Sequence, residues 1–130
     1  MAKYDLTWQT SDVTFLDALL LATGGEGGAP LQEILLMADA IDGTVYTLIE
    51  VTQAVEKLMA AGCIQFQKSK LSLSSDFMLK YECITEPDQD KLMQLLQGSK
   101  LSPESIDDAR ETLKKTKLKN HYQQYQEQFG

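Results

Sequence analysis

Apolar positions recur every three or four residues through the first half of the chain, switch briefly to every second residue, and then return to helical spacing. Phe15, Leu16, Leu19 and Leu20 predict a first helix over about residues 12–23, with Ser11 as its cap. Gly24, Gly25, Gly27 and Gly28 then end that helix and predict a flexible connector. Pro30 stands at the start of a second helix, whose buried stripe is Leu31, Ile34, Leu35, Ala38 and Ile41, and Gly43 stops it. Thr47 and Glu50 form the T-x-x-E capping box, in which hydroxyl and carboxylate satisfy each other's helix-end amides. Leu48, Val51, Val55 and Leu58 follow on one face with Ala54 beside them, and Gly62 closes this third helix.

After Gly62 the period falls from 3.6 to 2, flagged by the alternation of Cys63-Ile64-Gln65-Phe66-Gln67. Leu71-Ser72-Leu73 predicts a second short strand, and Lys68-Ser69-Lys70 the polar tip of a hairpin between them. Ser74 or Asp76 caps a fourth helix carrying Phe77, Met78, Tyr81 and Ile84. Thr85-Glu86-Pro87 predicts the start of a fifth helix with Leu92, Met93, Leu95 and Leu96, ended by Gly98, and Ser102-Pro103-Glu104 predicts another start.

The last segment carries two apolar stripes. Ile106, Ala109, Leu113 and Thr116 make the first; Leu118, Tyr122, Tyr125 and Phe129 make the second. The step of five from Leu113 to Leu118 rotates the apolar face by roughly 140°. Either the helix breaks between Lys117 and Asn120, or its halves bury against different neighbours. The distal stripe is expected to pack on a second copy or another protein, with folding back onto Trp8 and the first helix as the other solution.

Helix, helix, helix, hairpin, helix is an order shared with winged-helix domains. The stretch from Leu31 to Tyr81 resembles that family: EKLMAAGCIQFQ (residues 56–67) is similar to its xxLxxxGxI junction between third helix and hairpin. LSLSSDF (residues 71–77) is similar to the "LTxxG" entry to the next helix, with Phe77 where glycine is usual. The resemblance implies a mainly α fold with minor β: a three-helix core, a two-stranded hairpin wing and added C-terminal helices. On this reading residues 1–84 are the winged-helix-like domain, and residues 85–130 a helical extension for oligomerisation or partner binding. It also implies a candidate function, a transcriptional regulator that binds duplex DNA as a homodimer.

Charge weighs against that function. The 130-residue chain has 12 basic and 19 acidic residues, a net −7, whereas duplex affinity rests on Lys and Arg displacing counterions. Through Phe66 the only cations are Lys3 and Lys57, against nine carboxylates. Beyond it charges balance, and Arg110, Lys114, Lys115, Lys117 and Lys119 form a basic cluster near the C-terminus, with His121 beside it. Thr52, Gln53 and Lys57 on the third helix, with Lys68 and Lys70 on the hairpin, are the residues placed to meet nucleic acid. Leu118, Tyr122, Tyr125 and Phe129 are those placed to meet a protein partner or a second copy.

No pattern supplies catalysis. The glycine loop lacks G-x-x-x-x-G-K-[ST] and G-x-G-x-x-G, and holds Glu26 where a phosphate would sit. The single histidine, His121, is far in sequence from Cys63 and Cys83, whose spacing suits neither zinc nor a disulfide framework. No cofactor or metal is expected, no apolar run is long enough to span a bilayer, and the N-terminus has no signal-peptide core. The expectation is a cytoplasmic, non-catalytic module meeting itself or another protein, with duplex DNA disfavoured by charge and no membrane.

Overall fold

The computed structural model describes residues 8–24, 27–43, 45–67, 70–86, 88–98, 101–116 and 118–129. Among these the chain is mainly helical, with seven helices and one small antiparallel sheet. In order they are α1 (Thr10–Thr23), β1 (Gly28–Ala29), α2 (Leu31–Asp42), α3 (Leu48–Ala60), β2 (Ile64–Gln67), β3 (Lys70–Leu73), α4 (Ser75–Glu82), α5 (Gln89–Gln97), α6 (Pro103–Thr116) and α7 (Leu118–Phe129).

Helix α1 is the centre. Val13, Phe15, Leu16, Ala18, Leu19 and Leu20 are all buried, covering most of the helix circumference as expected for an element packed on several sides. α2, α3, α5 and the sheet each pack against it. Its start departs from the sequence reading. The helix begins at Thr10 with Gln9 as N-cap, because the Asp12 carboxylate accepts the Gln9 backbone N–H at 2.9 Å and Ser11 is left inside the first turn.

The third helix starts as its sequence dictates. Glu50 N–H donates to Thr47 Oγ1 at 3.2 Å, and Thr47 N–H donates to Glu50 Oε1 at 3.0 Å. Val51, Ala54, Val55 and Leu58 turn into the core. Ser74 is the cap of α4: its hydroxyl accepts the Phe77 N–H and donates to the Gly62 carbonyl, tying the end of the hairpin to the end of α3. α5 begins at Gln89, later than Thr85 to Pro87 suggested. Asp88 caps it through the Lys91 N–H, while the Lys91 ammonium holds the Thr85 and Glu86 carbonyls outside the helix.

The sheet has three strands in the order β1-β3-β2, one more than the alternating pattern predicts. β1 is two residues of the glycine connector, Gly28 opposite Ser72 and Ala29 opposite Leu71. Glycine and alanine carry no strand signal. Glycine fits here for a steric reason: a Cβ at position 28 would lie 3.0 Å from the Lys70 Cβ and 3.1 Å from the Leu71 carbonyl oxygen. The connector is therefore anchored at its second end, whereas its middle, Gly25 and Glu26, lies outside the described residues.

The C-terminal helices are not an appendage. α5 packs on α1, α6 on α3, and α7 on α2. Leu92, Leu96, Leu113, Leu118, Tyr122 and Tyr125 join the same buried cluster as Phe15, Leu35 and Leu58. The division at residue 84 thus runs through a shared core. The two apolar stripes bury mainly against different neighbours, that of α6 on α3 and that of α7 on α2, and Lys117 between them lies outside the described residues.

Candidate interaction site

Helix α3 is the element whose outward residues would meet nucleic acid, and the structure covers one flank of it. Thr52 and Glu56 lie on that flank, and α6 runs against it. The Arg110 guanidinium on α6 donates from Nε to Glu56 Oε2 at 3.1 Å, with the Glu56 side chain only 10% exposed. At the next position along α3 the Lys57 ammonium reaches Asp12 Oδ2 on α1 at 2.5 Å, both side chains being buried. A pair removed from water in this way is held in one geometry, since breaking it would strand a buried charge. Both charged residues in the second half of α3 therefore bind the fold together.

The residues placed to meet nucleic acid are dispersed accordingly. Lys57 is buried, which corrects the expectation that it faces outward; its stem and ammonium are drawn in by Asp12. Thr52 is half-buried and donates its hydroxyl to the Leu48 carbonyl at 2.7 Å. Gln53 and Lys70 are exposed, and Lys68 lies outside the described residues. Of the other outward positions on α3, Ile49 is 70% exposed and Glu50 is engaged in the capping box.

The residues placed to meet a partner are, for the most part, spoken for. Leu118, Tyr122 and Tyr125 are buried within the chain itself, which corrects the expectation that they form an outward stripe. Tyr122 explains why. Its hydroxyl donates to the Tyr46 carbonyl at 2.6 Å, and the Tyr46 hydroxyl donates to the Ser11 carbonyl at 2.6 Å. α7, the turn before α3 and α1 are thereby strung on one hydrogen-bonded line, with Tyr46 meeting Phe15 edge-on at 5.9 Å. Burial, with the Asp39 carboxylate and Tyr122 adding to it, raises the Tyr125 phenol above its ordinary range. Phe129 ends α7, and its side chain lies outside the described residues. His121, placed in the basic cluster, sits 5.4 Å from the Phe66 ring on β2.

Where α3, α6 and α7 converge, a surface groove of about 380 Å³ remains. Leu48, Leu113 and Leu118 give it an apolar floor, and Arg110, Lys114 and Lys119 a basic rim. Sequence reasoning had the rim cations as a cluster but missed the groove. The α3–α6 contact that makes it joins residues 54 positions apart, Glu56 and Arg110, and no local pattern announces such a pairing.

A second, smaller cavity of about 120 Å³ lies between the end of α3, α4 and α5, lined in part by Cys63, Asp76 and Lys80. Burial pushes the Cys63 thiol up to about 11, the reverse of what a nucleophilic cysteine needs. Among the described residues no three His, Cys, Asp or Glu side chains gather into a group fit for a metal ion. Among them, too, no helix is long and apolar enough to cross a membrane. The chain matches no protein-family model, no curated protein and no solved structure.

Proposed function

We propose that this chain is a non-catalytic interaction module on a winged-helix-like scaffold, engaged in protein–protein contacts or dimerisation rather than in reading duplex DNA. The element order from α1 to α4, with the β2–β3 hairpin following α3, supports the scaffold reading. One observation carries the functional part. The helix that would enter a major groove has α6 along one flank, Lys57 turned inward, and Ile49, Glu50 and Gln53 as its open positions. Groove reading runs on Arg, Lys, Asn and Gln over a positive surface, and this face offers one glutamine beside a carboxylate. A cytoplasmic setting belongs to the same reading, supported by two free cysteines, Cys63 and Cys83.

Fluorescence anisotropy of a labelled random-sequence duplex, titrated at low and moderate salt, tests the choice. The expected result is no salt-sensitive binding through α3 and the hairpin. A winged helix that binds DNA shows non-specific affinity on the order of 10⁻⁴–10⁻⁶ M at physiological salt, falling steeply as salt rises. Affinity of that kind, abolished by Gln53→Ala with Lys70→Glu, would instead establish the homodimeric DNA-binding regulator.

A further inference from the structure

We infer that the groove between α3, α6 and α7 is a docking site for an acidic, amphipathic helical segment of a partner protein. The inference rests on the interaction-module reading and names the partner's chemistry. Two features of the groove act together. Its floor is apolar, built from Leu48 on α3, Leu113 on α6 and Leu118 on α7. Ile49, 70% exposed and three residues from Thr52 on the same helix, carries apolar surface beyond the α3 edge of the groove.

The rim is basic in a chain whose net charge is −7. Among the described residues Arg110, Lys114 and Lys119 line the groove against one carboxylate, Glu56, and that carboxylate is engaged by Arg110. Lys114 also reaches Glu111 at 3.2 Å, an ion pair so exposed on both sides that it leaves the lysine available to another anion at little cost. Lys115, exposed on the next position of α6, adds to the same field.

Charge complementarity selects the occupant. A helix laid in a groove places leucine-like residues at i, i+3 or i+4, and i+7 on the floor, and its flanking positions then meet the rim. With Lys114 and Lys119 on that rim, the flanking residues are Asp or Glu. A nucleic-acid backbone satisfies the rim but has no use for three leucines beneath it, and a neutral apolar peptide satisfies the floor but leaves the rim idle. The groove is also open to solvent and not enclosed, which suits a segment of chain better than a buried small molecule.

The test uses the full chain and a fluorescein-labelled synthetic helix with leucines at i, i+3 and i+7 and glutamates at the flanking positions. A scrambled peptide of the same composition is the control. Saturable binding of the patterned peptide is expected, weakened at least about tenfold in Lys114→Glu with Lys119→Glu, since reversing charges that face the ligand acts on both encounter and register. Lys114→Arg with Lys119→Arg should keep the affinity, and Thr52→Trp, which fills the groove from its α3 side, should lose it. Amide resonances of Thr52, Arg110, Leu113 and Lys119 are expected to shift on titration.

Absence of binding overturns the inference, as do equal affinity for the scrambled peptide, indifference to the charge reversals, or shifts confined to another face. A random-sequence duplex that displaces the peptide and binds more tightly assigns the rim to nucleic acid and overturns the inference by that route. The duplex titration of the unmodified chain reports on α3 and the hairpin through Gln53 and Lys70, so failure of the peptide alone leaves the interaction-module reading standing.

Discussion

Helices α3 and α7 carry amphipathic stripes of similar kind, yet one is placed by signals within its own sequence and the other by residues far from it. α3 opens with the Thr47–Glu50 box and its apolar face continues without interruption to Leu58. α7 follows α6 after a turn of the apolar face, and its position is decided by the Tyr122 hydroxyl on the Tyr46 carbonyl, 76 residues away. A stripe of Leu118, Tyr122 and Tyr125 reads the same whether it meets a second molecule or the chain's own α2. Periodicity reports that a face is buried; only long-range contacts report against what.

The comparison can be broken at its strongest joint first. Asp12→Ala removes the carboxylate that compensates the buried Lys57 ammonium, and should destabilise the fold by about 3–5 kcal/mol in urea unfolding. Adding Lys57→Met should recover much of that loss, because the remaining charge is then gone as well. A single-mutant cost below about 1 kcal/mol would mean that the pair is solvated and that α3 is not locked to α1.

Next in size is Leu113→Ala, at the junction of α6 with α3. If the C-terminal helices share the core, its cost should match that of Leu58→Ala, about 2–5 kcal/mol each. A loss confined to α6 and α7, with the rest of the chain unfolding at the wild-type urea midpoint, would restore the appendage.

Tyr122→Phe is smaller and more pointed. It withdraws the donor from the buried Tyr46 carbonyl, and should cost about 1–3 kcal/mol without changing the secondary structure seen by circular dichroism. Thr47→Ala is the smallest, about 1 kcal/mol for a lost cap. Urea midpoints of the two, measured together, rank the long-range anchor against the local one. A larger loss at Thr47 than at Tyr122 would reverse the contrast between α3 and α7.

Most of the architecture was legible because the chain marks its helix ends with chemistry. Gly43, Thr47 with Glu50, and Ser74 each stand where a local hydrogen bond closes a helix end, and Pro30 where its fixed φ suits a helix entry. What was hidden falls into two kinds. β1 is a strand by virtue of its partner, since Gly28 and Ala29 pair only because Leu71 and Ser72 are beside them. The groove and the buried charges are hidden for the same reason: Asp12 with Lys57, and Glu56 with Arg110, are ordinary surface residue types until the tertiary fold brings each pair together. Lys57 shows the limit most clearly. Helical spacing places it away from the Val51–Leu58 stripe, and it is buried all the same by a second neighbour that the stripe does not foretell.

The central claim is that α6 and α7 complete the core of one molecule and thereby cover α3. Native-state amide hydrogen exchange at two widely separated protein concentrations tests it most directly, because protection reports the opening free energy of each element. The account predicts that core amides of α7, around Tyr122 and Tyr125, open with the same free energy as those of α3 around Val55 and Leu58, and that neither changes on dilution. Fast exchange in α7 beside a protected α3, or α7 protection that falls away on dilution, would contradict it and assign that stripe to a partner.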